Sequence, residues 1–61
     1  MYEILLQKGK FALGVVTKRF DSYREIDEWM DKNYPDCFYS SDFADSDNAK
    51  AWRKKFGEIT I

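Results

Sequence analysis

The chain of 61 residues is 44% hydrophobic and 34% charged, enough for one small folded domain and too short for a second core. It has no histidine and a single cysteine, Cys37, which excludes an intramolecular disulfide and with it the disulfide-stapled secreted class. The net charge is only −1, but the charges are sorted along the chain. Residues 1–20 set Glu3 against Lys8, Lys10, Lys18 and Arg19, a net +3. Residues 21–47 set nine acids against Arg24 and Lys32, a net −7, and residues 48–61 set Glu58 against Lys50, Arg53, Lys54 and Lys55, a net +3. Sorting of this kind bears on partners and electrostatic steering rather than on fold.

Tyr2–Gln7 reads as a strand, with Tyr2, Ile4 and Leu6 on one face and Leu5 on the other. Lys8-Gly9-Lys10 is a turn, and the β-prone stretch Phe11–Phe20 is a second strand pairing antiparallel with the first. Gly14 inside it marks a bulge or a close backbone approach. Ser22-Tyr23-Arg24-Glu25 matches a capping box, in which Ser22 accepts from the Glu25 amide and the Glu25 carboxylate reaches back to the Ser22 amide. Tyr23, Ile26, Trp29, Met30 and Asn33/Tyr34 follow at helical spacing, and Arg24–Glu28 and Glu28–Lys32 are i,i+4 charge pairs. Pro35 stops this helix at Tyr34.

Cys37–Ser41 is a short β-prone piece, and residues 40–48, with three Asp, three Ser and one Asn, read as loop. A second helix is predicted next, capped by Asp45 or Ser46, with Ala49, Trp52 and Phe56 on one stripe and Gly57 at its end. The competing reading turns a hairpin at 45–48 and makes 49–56 a strand; the Ala and Lys content favours the helix. Residues 58–61 close the chain as a strand with Ile59 and Ile61 facing inward. The fold class is therefore α+β: a small antiparallel sheet in the order β-β-α-(β)-α-β, with one or two helices packed on one face.

Catalytic chemistry has little to work with. Nucleophilic triads and zinc sites need histidine or several cysteines, and the three glycines are scattered rather than gathered into a phosphate loop. Reading Asp45 as the first ligand of a calcium loop puts Ala49, Lys50 and Phe56 at its fifth, sixth and twelfth positions, which fails the pattern. No enzymatic role, metal or cofactor is expected. Cys37 lacks a histidine to activate it and reads as a packing residue. No apolar run approaches the ~18 residues of a membrane span, and no signal peptide opens the chain. A complete, cytoplasmic gene product with no membrane association is expected.

Two surfaces are candidates for binding. In the middle segment Glu25, Asp27, Glu28, Asp31, Asp36, Asp42 and Asp45 could form one negative surface, with an exposed ring among Tyr34, Tyr39 and Phe43 supplying affinity. A solvated helix face that keeps a small protein soluble would carry the same residues. In the N-terminal hairpin, Lys8, Lys10, Phe11, Lys18, Arg19 and Phe20 set cations beside rings, as a groove for single-stranded nucleic acid does. Edge lysines that deter aggregation, together with the net charge of −1, weigh against that use. The five Phe, four Tyr and two Trp exceed what one small core hides, so about one to three rings are expected on the surface.

In general character the chain resembles the small accessory proteins of bacteria and their phages, many of which block or adapt a larger protein. The reading that follows is a non-enzymatic binding module or inhibitor. Its partner is a larger protein with a basic patch, such as a nucleic-acid-handling machine. The alternatives are nucleic-acid binding by the hairpin and a homodimer formed through a β edge or an apolar patch.

Overall fold

The computed structural model describes residues 1–59. Its elements are β1 (Tyr2–Lys8), β2 (Phe11–Val16), α1 (Tyr23–Asn33), β3 (Phe38–Phe43), α2 (Asp47–Phe56) and β4 (Glu58–Ile59), and the strands form one sheet in the order β3-β1-β2-β4. The α+β class and the helix over 47–56 are as predicted. The inward-facing Ile59 also holds, since it packs on the core; the inward-facing Ile61 lies outside the described residues.

The sheet is mixed rather than antiparallel. β1 runs antiparallel to β2 and β3, but β4 runs parallel to β2, with Val15 N–H donating to Gly57 O at 2.9 Å and Thr17 N–H to Ile59 O at 3.2 Å. The connection β2–α1–β3 crosses the sheet in one direction, and β3–α2–β4 crosses it in the other. Two crossovers of the same hand running in opposite directions put their helices on opposite faces, which corrects the expectation of one covered face. β1 shows the consequence: Glu3, Ile4, Leu5 and Leu6 are all buried, an unbroken run that needs cover on both sides.

On the α1 face, Ile26 and Met30 pack on Ile4, Leu6, Val16 and Phe20. On the α2 face, Leu5 and Val15 lie directly opposite each other in the ladder and Ala49 of α2 is fully buried. Glu3 shares that face and is 5% exposed; Arg53 of α2 donates to its carboxylate, and Arg19 Nε lies 3.9 Å from it. Arg53 also donates to Ala44 O at 3.4 Å.

The second strand ends at Val16, not Phe20. The chain leaves the ladder at Thr17 and rejoins it at Phe20, which exchanges both backbone hydrogen bonds with Tyr2 and buries its ring in the core. Leu6 pairs with Gly14 but Gln7 pairs with Ala12, so Leu13 is the extra residue of a bulge. Gly14 has φ +144°, and a Cβ there would meet Ile59 Cγ1 at 3.0 Å, so it marks both the bulge and a close approach. Ser22 accepts from Glu25 N–H as the capping box requires, but the Glu25 carboxylate returns to the Asp21 amide, one residue before the predicted one. Ser46 caps α2 by accepting from Ala49 N–H at 3.0 Å. The predicted loop over 40–48 is shorter in the structure, because β3 continues through Ser41 and Asp42 to Phe43. The free edge of β1 supplies six partners, from Tyr2↔Phe43 to Gln7↔Phe38, and pairing outweighs the poor strand propensity of Ser and Asp.

Candidate functional site: the groove between α1 and β3

Helical geometry decides which acids meet. Ile26 and Met30 point into the core, so Asp27 and Asp31, each one position further on, lie together on one flank of α1. That flank faces β3, because the Tyr39 hydroxyl donates to Asp27 Oδ1 at 2.8 Å. Between helix and strand runs a shallow groove of about 440 Å³ lined by Asp27, Met30, Asp31, Cys37, Phe38 and Tyr39. Its floor is soft and apolar (Met30 and Cys37) and its acidic rim is Asp27 and Asp31; Phe38 borders it at the start of β3, but by strand alternation its side chain, 67% exposed, falls with Ser40 and Asp42 on the other face of the sheet. Partial burial pushes the Tyr39 phenol pKa above its ordinary value, and the bond to Asp27 pushes it the same way.

The acids of the middle segment do not form one surface. Asp27, Glu28, Asp31 and Asp36 are exposed on α1 and the turn that follows it. Glu25 faces the other way, engaged by the Asp21 amide and by Lys18 at 3.7 Å. Asp42 lies opposite Glu3 on the α2 face, where it accepts from the Phe43 amide and from Asn48 Nδ2, and Asp45 is exposed in the β3–α2 turn. The single negative surface is thus two patches divided by the sheet. The segregation from cations is nonetheless marked. Among the described residues the ion pairs within 4.0 Å are Lys18–Glu25, Arg19–Glu3 and Arg53–Glu3, so Glu25 is the only acid of the middle segment so paired. The i,i+4 pairs Arg24–Glu28 and Glu28–Lys32 are not closed.

Of the three candidate rings, Tyr34 is half-buried against Trp29 with ring centroids 5.4 Å apart, and Tyr39 is engaged with Asp27. Phe43 is exposed, but it stacks on Tyr2 at the opposite end of β3 from the groove. Tyr39 is thus the candidate ring that meets the acids, and it is half-buried rather than exposed. Surface rings also outnumber the expectation, with Phe11, Tyr23, Phe38, Phe43 and Phe56 exposed among the described residues.

The hairpin candidates separate as well. Lys8 pairs with Phe11 at one end of β1 and Tyr2 bridges Phe20 at the other, about 20 Å apart along the strand. Phe20 is fully buried and offers no face to a base, while Lys18 and Arg19 are turned to Glu25 and Glu3. Lys10 and Phe11 meet a different neighbour, Phe56 at the end of α2, across a depression of about 270 Å³, and Lys55 Nζ sits 5.3 Å from the Phe56 ring centre. Among the described residues no three acidic or cysteine side chains converge as a metal site, and no helix is long and apolar enough to cross a membrane. Comparison with protein-family models, curated proteins and solved structures gives no match.

Proposed function

We propose that this is a non-enzymatic protein-binding module that docks the α1–β3 groove on a basic surface of a larger protein. One observation carries the reading: the carboxylates of Asp27 and Asp31, with Glu28 and Asp36 nearby in the chain, are exposed with no cation of the described residues within 4.0 Å, beside an apolar floor and the half-buried Tyr39 ring. Such an arrangement lowers the cost of bringing a cationic partner close and gives it an apolar floor to pack on once there. The chain has no histidine, and its one cysteine sits among packing residues, so imidazole and thiol–imidazole catalysis have no residues to use. The test is affinity capture from the native host, comparing the wild type with a D27N/D31N variant. A basic protein retained by the first and lost from the second supports the reading; equal retention by both contradicts it.

A second reading has its own support. Lys10, Phe11, Phe56 and Lys55 place two cations beside two exposed rings, a small platform of the kind on which single-stranded nucleic acid stacks. Titration of a labelled oligonucleotide at low salt decides it: binding abolished by F11A supports the platform, and no binding at high micromolar protein removes it.

A further inference from the structure

The backbone of β3 defines how a partner would engage the groove. In an antiparallel ladder, opposed residues alternate between those that exchange backbone hydrogen bonds and those that do not. The β1–β3 register continues to Met1 and Ala44, and Ala44 N–H donates to Met1 O at 2.9 Å, so this pair is a bonded one. Tyr2 fixes the same phase from its other side, because it spends both backbone groups on Phe20 and so leaves Phe43 unbonded across the ladder. Counting back, Asp42, Ser40 and Phe38 bond to β1, whereas Phe43, Ser41 and Tyr39 turn their N–H and C=O to the open edge. The Phe43 groups are already engaged, its N–H by the Asp42 carboxylate at 2.7 Å and its C=O by Ser46 N–H at 3.0 Å. Tyr39 and Ser41 are left, two adjacent outward positions with four backbone groups to offer.

This edge has little of the usual protection: its one charged side chain, Asp42, lies on the α2 face and is engaged by Asn48. β3 contains neither lysine nor proline, and its centre is Ser40-Ser41, too small to shield the backbone. The acids of the groove lie beside it, so an incoming strand feels their charge. A second copy pairing β3 to β3 would bring two sets of Asp27 and Asp31 to one seam, like against like; a cationic strand would neutralise them.

We propose that β3 is a strand-accepting edge: an extended basic segment of the partner adds beside β3, bonds the backbone of Tyr39 and Ser41, and sets its cations against Asp27 and Asp31. This deepens the docking reading above and rests on it.

The probe is a labelled peptide of alternating Lys and Val, about eight residues long, matched to a strand of typical length. Two variants separate the two layers of the claim. S41P removes an outward N–H and leaves the bonds of Phe38, Ser40 and Asp42 to β1 untouched, while D27N/D31N removes charge and leaves the edge intact. Peptide binding weakened at least tenfold by S41P supports strand addition. Undiminished binding by S41P together with loss in D27N/D31N overturns it and leaves acidic docking standing. Undiminished binding by D27N/D31N overturns the docking reading itself, and a wild type that does not bind overturns both. Amide hydrogen exchange on the wild type supplies a readout that needs no variant: the Tyr39 and Ser41 amides become protected on peptide binding. Peptide bound with both amides unprotected contradicts the proposal, as does protection that rises with protein concentration alone, the mark of self-pairing.

Discussion

The Tyr39 hydroxyl donates to the Asp27 carboxylate at 2.8 Å, and this bond between residues twelve positions apart ties the flank of α1 to the edge strand. It sets the orientation of one acid of the groove and places the other, Asp31, one helical turn further along. Y39F removes it. A loss of about 0.5–1 kcal/mol at neutral pH is expected in urea unfolding, since the bond lies near the surface.

The same residue gives a pH signature. Its phenol pKa is raised in the folded state, chiefly by partial burial and then by Asp27, so the folded protein holds that proton more tightly than the unfolded chain. The associated stability is fully present below pH about 10, the unfolded value, and is lost as pH rises through the folded pKa. Urea midpoints measured from pH 8 to 11 should fall more steeply for the wild type than for Y39F; parallel curves would show that Tyr39 does not contribute.

Glu3 and Arg53 lie fifty positions apart and meet beneath α2. Truncating Arg53 leaves a nearly buried carboxylate with only the more distant, half-exposed Arg19. R53M is expected to cost about 1–3 kcal/mol, and E3Q/R53M to recover part of it, because a neutral amide is cheaper to bury than an unpaired charge. Denaturant unfolding of the three proteins checks this.

Gly14 and Gly9 should respond differently to alanine. Both have positive φ, but a Cβ at Gly14 also meets Ile59 at 3.0 Å, whereas the space around Gly9 is open. G9A should cost about 1 kcal/mol and G14A roughly 2–3 kcal/mol, with accelerated amide exchange at Ile59 in the second only.

Local signals in the sequence carried most of the elements. The Ser22 cap, the 3.6-residue period and Pro35 bounded α1; Ser46 and Gly57 bounded α2; Gly9 marked the hairpin turn. Relationships set by distant pairing were not legible. β3 runs through Ser40, Ser41 and Asp42 because β1 has a free edge, not because those residues favour a strand. The opposite placement of the helices follows from strand order, which no local pattern encodes, although the apolar pairs Leu5-Leu6 and Val15-Val16 signalled two buried faces. At the groove, Asp27 and Asp31 were identifiable from charge and spacing. The engagement of Tyr39 with Asp27 was not, since it depends on where β3 pairs with β1.

Docking at the α1–β3 groove depends on electrostatic attraction. Its most direct test is the association rate of the Lys-Val peptide with the wild type, measured between about 0.05 and about 0.5 M salt. A fall of roughly tenfold or more is expected, with a much flatter profile for D27N/D31N. A wild-type rate unchanged across that range would contradict it.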